Sequence, residues 1–278
     1  MTALNISSSP LRDAMFEAAS RAEKNGPRRS YIGMSGIGGK CERAQWYAFR
    51  GYTPSALEGR VEMIFDLGRR VEDAVIEWIR LAGYHVEGQQ AEYTACGGWF
   101  KGHCDGIIHG VSSNPHILEV KSASASRFKA FQLSGVRAVS ESYFQQVQCY
   151  MHYAGLKRAV FVIMSKDNCD IYTERVHYAR SEAEAMERKA WKIIRADSPD
   201  ALDAKEEDCR LCGFRQHCKA RPGEPYVQTD KSCGSCIWCH AAEDGFLCGS
   251  PKHRVALKHI ERKCPEWSFR EDVDRVPF

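Results

Sequence analysis

The sequence predicts an α/β fold, a mixed β-sheet flanked by helices, and three observations carry that prediction. Apolar residues recur at three and four across residues 57–82, the period of a helix with one buried face. Short runs rich in Ile, Val, Phe and Tyr fill 84–94, 99–110, 116–121, 158–165 and 170–177, the lengths and compositions of strands. Helical periodicity returns over 139–155 and 179–197, so helices interleave with strands instead of segregating from them.

Taken in order, residues 10–25 read as a first helix, followed by the Gly-rich connection "YIGMSGIGGK" and a short aromatic helix in "CERAQWYAFR". The long helix then sets Leu57, Val61, Ile64, Gly68, Val71, Val75 and Ile79 on one face, with Glu72 one turn from Gly68. A β-meander over residues 84–121, a helix, two strands and a last helix complete the regular part. After residue 205 the periodicity stops and cysteines take over, the pattern of loops organised by metal instead of by an apolar core.

The 278 residues, 44% of them apolar, suffice for one large domain or a main domain with a small appendage. A net charge of +3 and a mild basic bias over residues 1–60 permit a nucleic-acid partner without requiring one. No apolar run approaches membrane-spanning length, and "MTALNISSSPLRDAMFEAAS" lacks the hydrophobic region of a secretion signal. The expected location is therefore the cytoplasm, and thirteen cysteines there are read first as metal ligands instead of disulfides.

The chemistry concentrates in two stretches, "KGHCDGIIHG" and "HILEVKSAS". Side chains two apart on a strand share a face, so Glu119 and Lys121 project together while Leu118 and Val120 face the other way. If residues 99–110 pair with 116–121 as a hairpin, Asp105 joins them. Two carboxylates there would bind a hard divalent cation, Mg2+ or Mn2+, with the Lys121 ammonium beside it. Glu72 becomes a further ligand if the long helix packs against the hairpin. His103 alternates to the opposite face and is not expected to be a ligand. Alone, Glu-x-Lys reads first as a surface salt-bridge patch, and Gln146 with Tyr150 first as one face of an ordinary amphipathic helix.

The combination is more specific. "GRRVE" at 68–72, "GHCDG" at 102–106, "EVK" at 119–121 and "QVQCY" at 146–150 resemble, in order, the motif series of the PD-(D/E)xK nuclease superfamily. The branch they resemble is that of the RecB-like iron–sulfur exonucleases, which includes phage exonucleases and the CRISPR-adaptation nuclease. The resemblance spans roughly residues 35–220 and implies a restriction-endonuclease-like core. It makes Glu72, Asp105 and Glu119 the metal ligands and Lys121 the catalytic lysine. Gln146 and Tyr150 become the pair that supports the site and touches DNA. Glu72 stands where many relatives have His, which favours an all-oxygen site.

"CRLCGFRQHC" supplies Cys209, Cys212 and Cys218, one thiolate short of the usual four. The resemblance implies Cys41 as the fourth and a 4Fe–4S cluster as the occupant, with Zn2+ as the alternative. In the tail, Cys233 and Cys236 form a C-x2-C knuckle that Cys248 and Cys264 would complete as a zinc site, while Cys239, His240 and His253 remain alternatives. Cys264 is preferred because similar phage-type tails end in Cys-Pro followed by an aromatic residue or His. Cys96, Cys104, Cys149 and Cys169 read as small core residues.

The expected organisation is a helical region (1–56), a nuclease core (57–205), a cluster-binding segment (206–225) and a zinc-binding tail (226–278). The implied function is a Mg2+- or Mn2+-dependent DNA exonuclease of phage or prophage recombination or repair. The alternatives are a CRISPR-adaptation-type trimming nuclease, or a DNA-binding adaptor with a vestigial nuclease core. The partner is DNA with a free or single-stranded end, with a recombination or annealing protein as a second partner. Arg43, Trp46, Tyr47, Arg50 and Arg127 offer charge and stacking for such an end; Trp46 and Tyr47 equally suit packing around the cluster.

Overall fold

A computed structural model describes residues 9–23, 31–39, 41–52, 54–55, 58–204, 209, 212–218, 233, 236, 238–242, 245–250, 256–257 and 264. The expected ligand alternative His253 lies outside them, as does the first residue of the long helix's predicted apolar face, Leu57.

Helix α1 (Pro10–Glu23) packs along α3 (Gly59–Leu81), and α2 (Glu42–Phe49) lies between them in sequence. Strands β2 (His85–Glu87), β5 (Gly106–His109), β6 (His116–Ala123), β7 (Arg158–Ser165) and β8 (Ile171–His177) form the main sheet in the order β2-β5-β6-β7-β8. β6 and β7 are parallel and the other pairs antiparallel, so the sheet is mixed and helix-flanked as predicted. A small second sheet, β1-β4-β3, joins Ile32–Gly33, Phe100–His103 and Glu92–Ala95.

The apolar pattern of β6 and β7 explains the layering. Ile117, Ala159, Phe161 and Ile163 face one core, which α4 (Ala125–Val139), α5 (Glu141–Ala154) and α6 (Arg180–Arg195) cover with Phe128, Phe131, Val147, Tyr150 and Ile194. Leu118, Val120, Val160, Val162 and Met164 face the other core, against Val71, Val75 and Ile76 of α3. Strands covered on both sides read as nearly continuous apolar runs, which is why "RAVFVIMS" shows no polar alternation. α5 ends at Gly155, whose left-handed backbone (φ 70°) closes the helix.

Four expectations need correction. The runs 84–94 and 99–110 are not single strands: each breaks and sends its halves to different sheets, β2 and β3, β4 and β5. Helix α4 lacks a predicted counterpart, because Gly135 (φ 76°) interrupts it and Ser124, Ser126 and Ser134 dilute its apolar period. In α3, Ile64 is exposed, since the buried face runs through Val71, Val75 and Ile76 only where the helix meets the sheet. Cys169 is exposed in the β7–β8 turn, whereas Cys96, Cys104 and Cys149 are buried as expected.

Residues beyond 205 carry more regular structure than the loss of periodicity suggests. α7 (Arg215–Cys218) is followed by β9 (Cys239–Ala242), β10 (Gly245–Cys248) and β11 (Ala256–Leu257), a three-stranded antiparallel sheet. β9 lies against α6, and Cys233, Cys236 and Cys239 are buried in the same core as the main sheet. Among the described residues, no helix is long and apolar enough to cross a membrane.

Candidate active site

The site forms where β5 and β6 pair beneath α5. Gly106 is registered against Leu118, so Asp105, in the bend just before β5, sits across from Glu119. Two glycines of "GHCDG" make that geometry possible. A Cβ on Gly102 would lie 2.6 Å from Tyr150 Cε1, and one on Gly106 would lie 2.8 Å from Val86 Cγ1, distances that no packed side chain tolerates. Bare backbone at these two positions lets Tyr150 and β2 close around Asp105.

Asp105 Oδ2 accepts a hydrogen bond from Val120 N at 2.6 Å, and its carboxyl lies close enough to that of Glu72 for the two to influence each other's charge. Glu72 reaches over from α3, and Gln90 Nε2 donates to its Oε1 at 3.0 Å. Glu119 is fully buried. Its Oε1 pairs with the Lys121 ammonium and accepts from Gln146 Nε2 at 2.7 Å. Gln146 Nε2 also lies 3.2 Å from Tyr150 Oη, as expected for residues four apart on α5. The structure thus brings all six predicted residues, Glu72, Asp105, Glu119, Lys121, Gln146 and Tyr150, into one cluster.

The electrostatics follow from crowding three carboxyls out of water. Burial, reinforced by Asp105, pushes Glu72 up to about 7. The same two causes push Glu119 up to about 8, against the pull of Lys121. Asp105 is also raised by burial, although Lys121 and the Val120 N–H oppose the rise. Burial works against the Lys121 charge, but Glu119 and Asp105 outweigh it and hold the ammonium protonated. Among the described residues, Glu119 Oε2 is buried with no hydrogen-bond partner. Three oxygen donors with raised pKa and one unsatisfied carboxylate oxygen fit a hard divalent cation.

Sequence reasoning missed several neighbours. Gln90 was absorbed into a presumed strand, yet it turns at φ 59° and holds Glu72. Tyr143 lies 5.0 Å beneath the Lys121 ammonium and 5.4 Å beneath the Arg127 guanidinium, and it stacks on Phe131. It sits three residues before Gln146 on α5, a spacing that could have signalled it. His103 pairs with Glu92 instead of joining the cluster.

The predicted DNA-end residues divide. Trp46, Tyr47 and Arg50 are buried, which removes them from any strand-binding surface. Trp46 Nε1 donates to Ala196 O at 2.7 Å, and Arg50 donates to the carbonyls of Ile194 and Ala196, so both close the C-terminal end of α6. Arg43 is half-buried and donates to Leu202 O. Arg127 is exposed, with its guanidinium over the Tyr143 ring that also faces Lys121.

Cys41, Cys209, Cys212 and Cys218 line one small cavity, with Tyr47 and Phe214 in its wall. Cys41 and the described residues 209 and 212–218 therefore converge although far apart in sequence. In the tail, the strand register sets Cys248 directly opposite Cys239. Cys236 N donates to Cys233 O at 3.1 Å, and Cys239 N donates to Cys236 O at 3.2 Å.

Several known proteins resemble the chain. The protein SSO0001 superposes with TM-score 0.45 and 15% identity, covering 76% of this chain and 98% of its own. An alkaline exonuclease from Laribacter hongkongensis gives TM-score 0.44 and 14% identity, with 64% and 90% covered. A phage-related exonuclease from Haemophilus somnus gives 0.34 and 14%, with 44% and 65% covered. These likenesses are too loose to set residue equivalences. No curated protein matches in sequence. Residues 93–157 match the YqaJ-like viral recombinase domain, and that stretch contains Asp105, Glu119, Lys121, Gln146 and Tyr150. This match supports the resemblance to the PD-(D/E)xK nuclease superfamily over that stretch.

Proposed function

We propose that the protein is a divalent-metal-dependent DNA exonuclease of the phage recombination type. The observation that carries the reading is the cluster itself: the buried carboxyls of Asp105 and Glu119 meet the half-buried Glu72 carboxyl and Lys121 ammonium beneath a supporting Gln–Tyr pair, and all but Glu72 lie in the stretch that matches a viral recombinase domain. Glu72, Asp105 and Glu119 would hold Mg2+ or Mn2+. When bound, such an ion supplies Lewis-acid activation of a water and of the scissile phosphodiester. Lys121 keeps its proton and offers a fixed positive charge where the phosphoryl group gains negative charge. Gln146 fixes the Glu119 carboxylate by donating to Oε1, which leaves Oε2 as the free lone-pair donor. Exposed Arg127 lies over the half-buried Tyr143 ring, which also faces the Lys121 ammonium, a cationic position suited to a DNA phosphate.

We further infer that Cys41, Cys209, Cys212 and Cys218 hold a metal group, a 4Fe–4S cluster in preference to Zn2+. Their convergence on one cavity supports this, and four thiolates suit either occupant. For the tail, Cys233, Cys236 and Cys248 are retained as zinc ligands. The fourth position lies between Cys264 and Cys239, the latter favoured by its register with Cys248. DNA with a free end is the proposed partner, together with an annealing or recombination protein.

Digestion of end-labelled single- and double-stranded DNA with Mg2+ or Mn2+ tests the reading. Wild-type protein is expected to release nucleotides progressively from an end, and Asp105→Ala, Glu119→Ala and Lys121→Ala to lose cleavage by several powers of ten while still binding DNA. DNA binding without cleavage by the wild-type protein would instead favour the adaptor reading.

A further inference from the structure

A second group of ligand-type side chains lies outside the carboxylate cluster, at the free edge of the main sheet. His85 and Glu87 lie on β2, and His109 lies on β5 directly opposite His85. Val86, between the first two, is buried against α3 in the core of Val71, Val75 and Ile108, so alternation turns His85 and Glu87 to the other face. There His109 Nε2 lies 2.8 Å from Glu87 Oε1, His85 Nε2 lies 3.6 Å from Glu87 Oε2, and the two imidazole centroids are 5.3 Å apart. One ligand atom from each of the three falls within 4.8 Å of the others.

We propose that His85, Glu87 and His109 form a binding site for a borderline divalent cation of the zinc class, separate from the catalytic carboxylates. Two imidazoles and one carboxylate are a zinc-type donor set, whereas Mg2+ takes oxygen donors almost alone. With bonds of about 2.0–2.1 Å, tetrahedral zinc sets its ligand atoms about 3.3 Å apart. The present spacings bracket that value, and closing them requires only rotation of the exposed His85 and Glu87 side chains and the half-buried His109 side chain. The backbone is already in place. β2 is registered against β5, Gly106 lets Val86 approach β5 closely, and Arg80 donates to Val86 O and to Gln89 Oε1 beside it. Three protein ligands leave at least one position open to solvent or to an incoming oxygen donor.

The placement gives the site a consequence. β2 follows α3, the bearer of Glu72, and β5 begins immediately after Asp105. An ion bridging His85 and Glu87 to His109 would clamp these two segments together at their shared edge. The inference does not depend on nuclease activity, since it is read by metal binding.

The test uses full-length protein kept in millimolar Mg2+, with zinc affinity and stoichiometry measured by equilibrium dialysis and ligand type by cadmium NMR, whose shift separates nitrogen and oxygen ligation from sulfur. Wild-type protein should take one more nitrogen- and oxygen-ligated ion than His109→Ala or His85→Ala. Glu87→Gln should weaken that ion by at least the roughly 10–100-fold that loss of even an outer-shell partner costs. Circular dichroism of each exposed-site variant verifies that it is folded. Equal stoichiometry in wild type and in the folded His85→Ala/His109→Ala double variant would overturn the proposal and leave the trio a surface ion-paired cluster.

Discussion

Gln146 Nε2 donates to Glu119 Oε1 at 2.7 Å, and the other oxygen of the same fully buried carboxylate has no hydrogen-bond partner among the described residues. One side of Glu119 is thus fixed by α5 and the other left open. Buried polar atoms are almost always satisfied, so the open oxygen points to a missing ligand, and Gln146 becomes the residue that decides which oxygen faces it.

From that follows the first expectation. Gln146→Ala should lower the rate of metal-dependent cleavage by roughly 10–100-fold, the usual cost of losing an outer-shell partner, while raising the metal concentration needed for half-maximal rate. Cleavage rates over a Mn2+ titration check this. A wild-type rate and metal dependence in folded Gln146→Ala would show that Glu119 needs no such support.

The raised carboxyls predict a pH dependence with a definite sign. Glu72 at about 7 and Glu119 at about 8 lie above their ordinary value. The metal-free folded chain therefore binds more protons than the unfolded chain between about pH 4.5 and 8. The stability they contribute is present at acid pH and is lost as pH rises through that window. Cation binding requires the ionised carboxylates and should release protons. Thermal melts should show Tm of the metal-free protein falling from about pH 5.5 to about pH 8.5, and Mg2+ or Mn2+ raising Tm more at the higher pH. A metal-induced shift independent of pH would remove the assignment of these carboxyls as ligands.

Gly106→Ala probes the backbone that delivers Asp105. The new Cβ would meet Val86 Cγ1 at 2.8 Å and Glu87 O at 3.3 Å. The expected cost is about 1–3 kcal/mol, with Asp105 displaced and cleavage reduced beyond what the stability loss explains. Chemical denaturation and cleavage measured on the same preparation separate the two effects.

Much of this site was legible because strand alternation is local. Glu119 and Lys121 share a face by period alone, and Gln146 and Tyr150 share a helix face four residues apart. The break at Cys104–Asp105 was not legible, since it serves two sheets at once and no apolar period marks where a strand changes partner. Trp46 and Arg50 misled for a related reason. An aromatic and a guanidinium on a short helix look like a nucleic-acid surface until the tertiary fold supplies the α6 carbonyls they satisfy. The His85, Glu87 and His109 trio depended on a register between segments 24 residues apart at their ends, which composition does not encode.

The cysteine cavity predicts a colour. Anaerobically purified protein should be brown and contain iron and sulfide in equal amounts, and Cys41→Ala should bleach it as fully as Cys209→Ala. Cys41 sits at the N-cap of α2, but its side chain makes no capping hydrogen bond, so its loss should remove a ligand without unwinding the helix. Colourless protein containing zinc would transfer the site to the alternative metal. A full cluster in Cys41→Ala would refute that ligand.

The tail offers a sharper test because its cysteines are both candidate ligands and core residues. Cys233, Cys236 and Cys239 are 8%, 6% and 2% exposed, within the core that α6 shares. Truncation before Lys231 should remove one zinc per chain and also uncover apolar surface on α6, lowering Tm and increasing dye binding while leaving Asp105 and Glu119 able to bind metal. Ligand choice is then resolved by substitution: Cys239→Ser should release the zinc if the Cys239–Cys248 strand pair completes the site, whereas release by Cys264→Ser alone would return the fourth position to Cys264. Zinc content unchanged by truncation would refute the tail site altogether, because no cysteine C-terminal to residue 230 would remain to hold it.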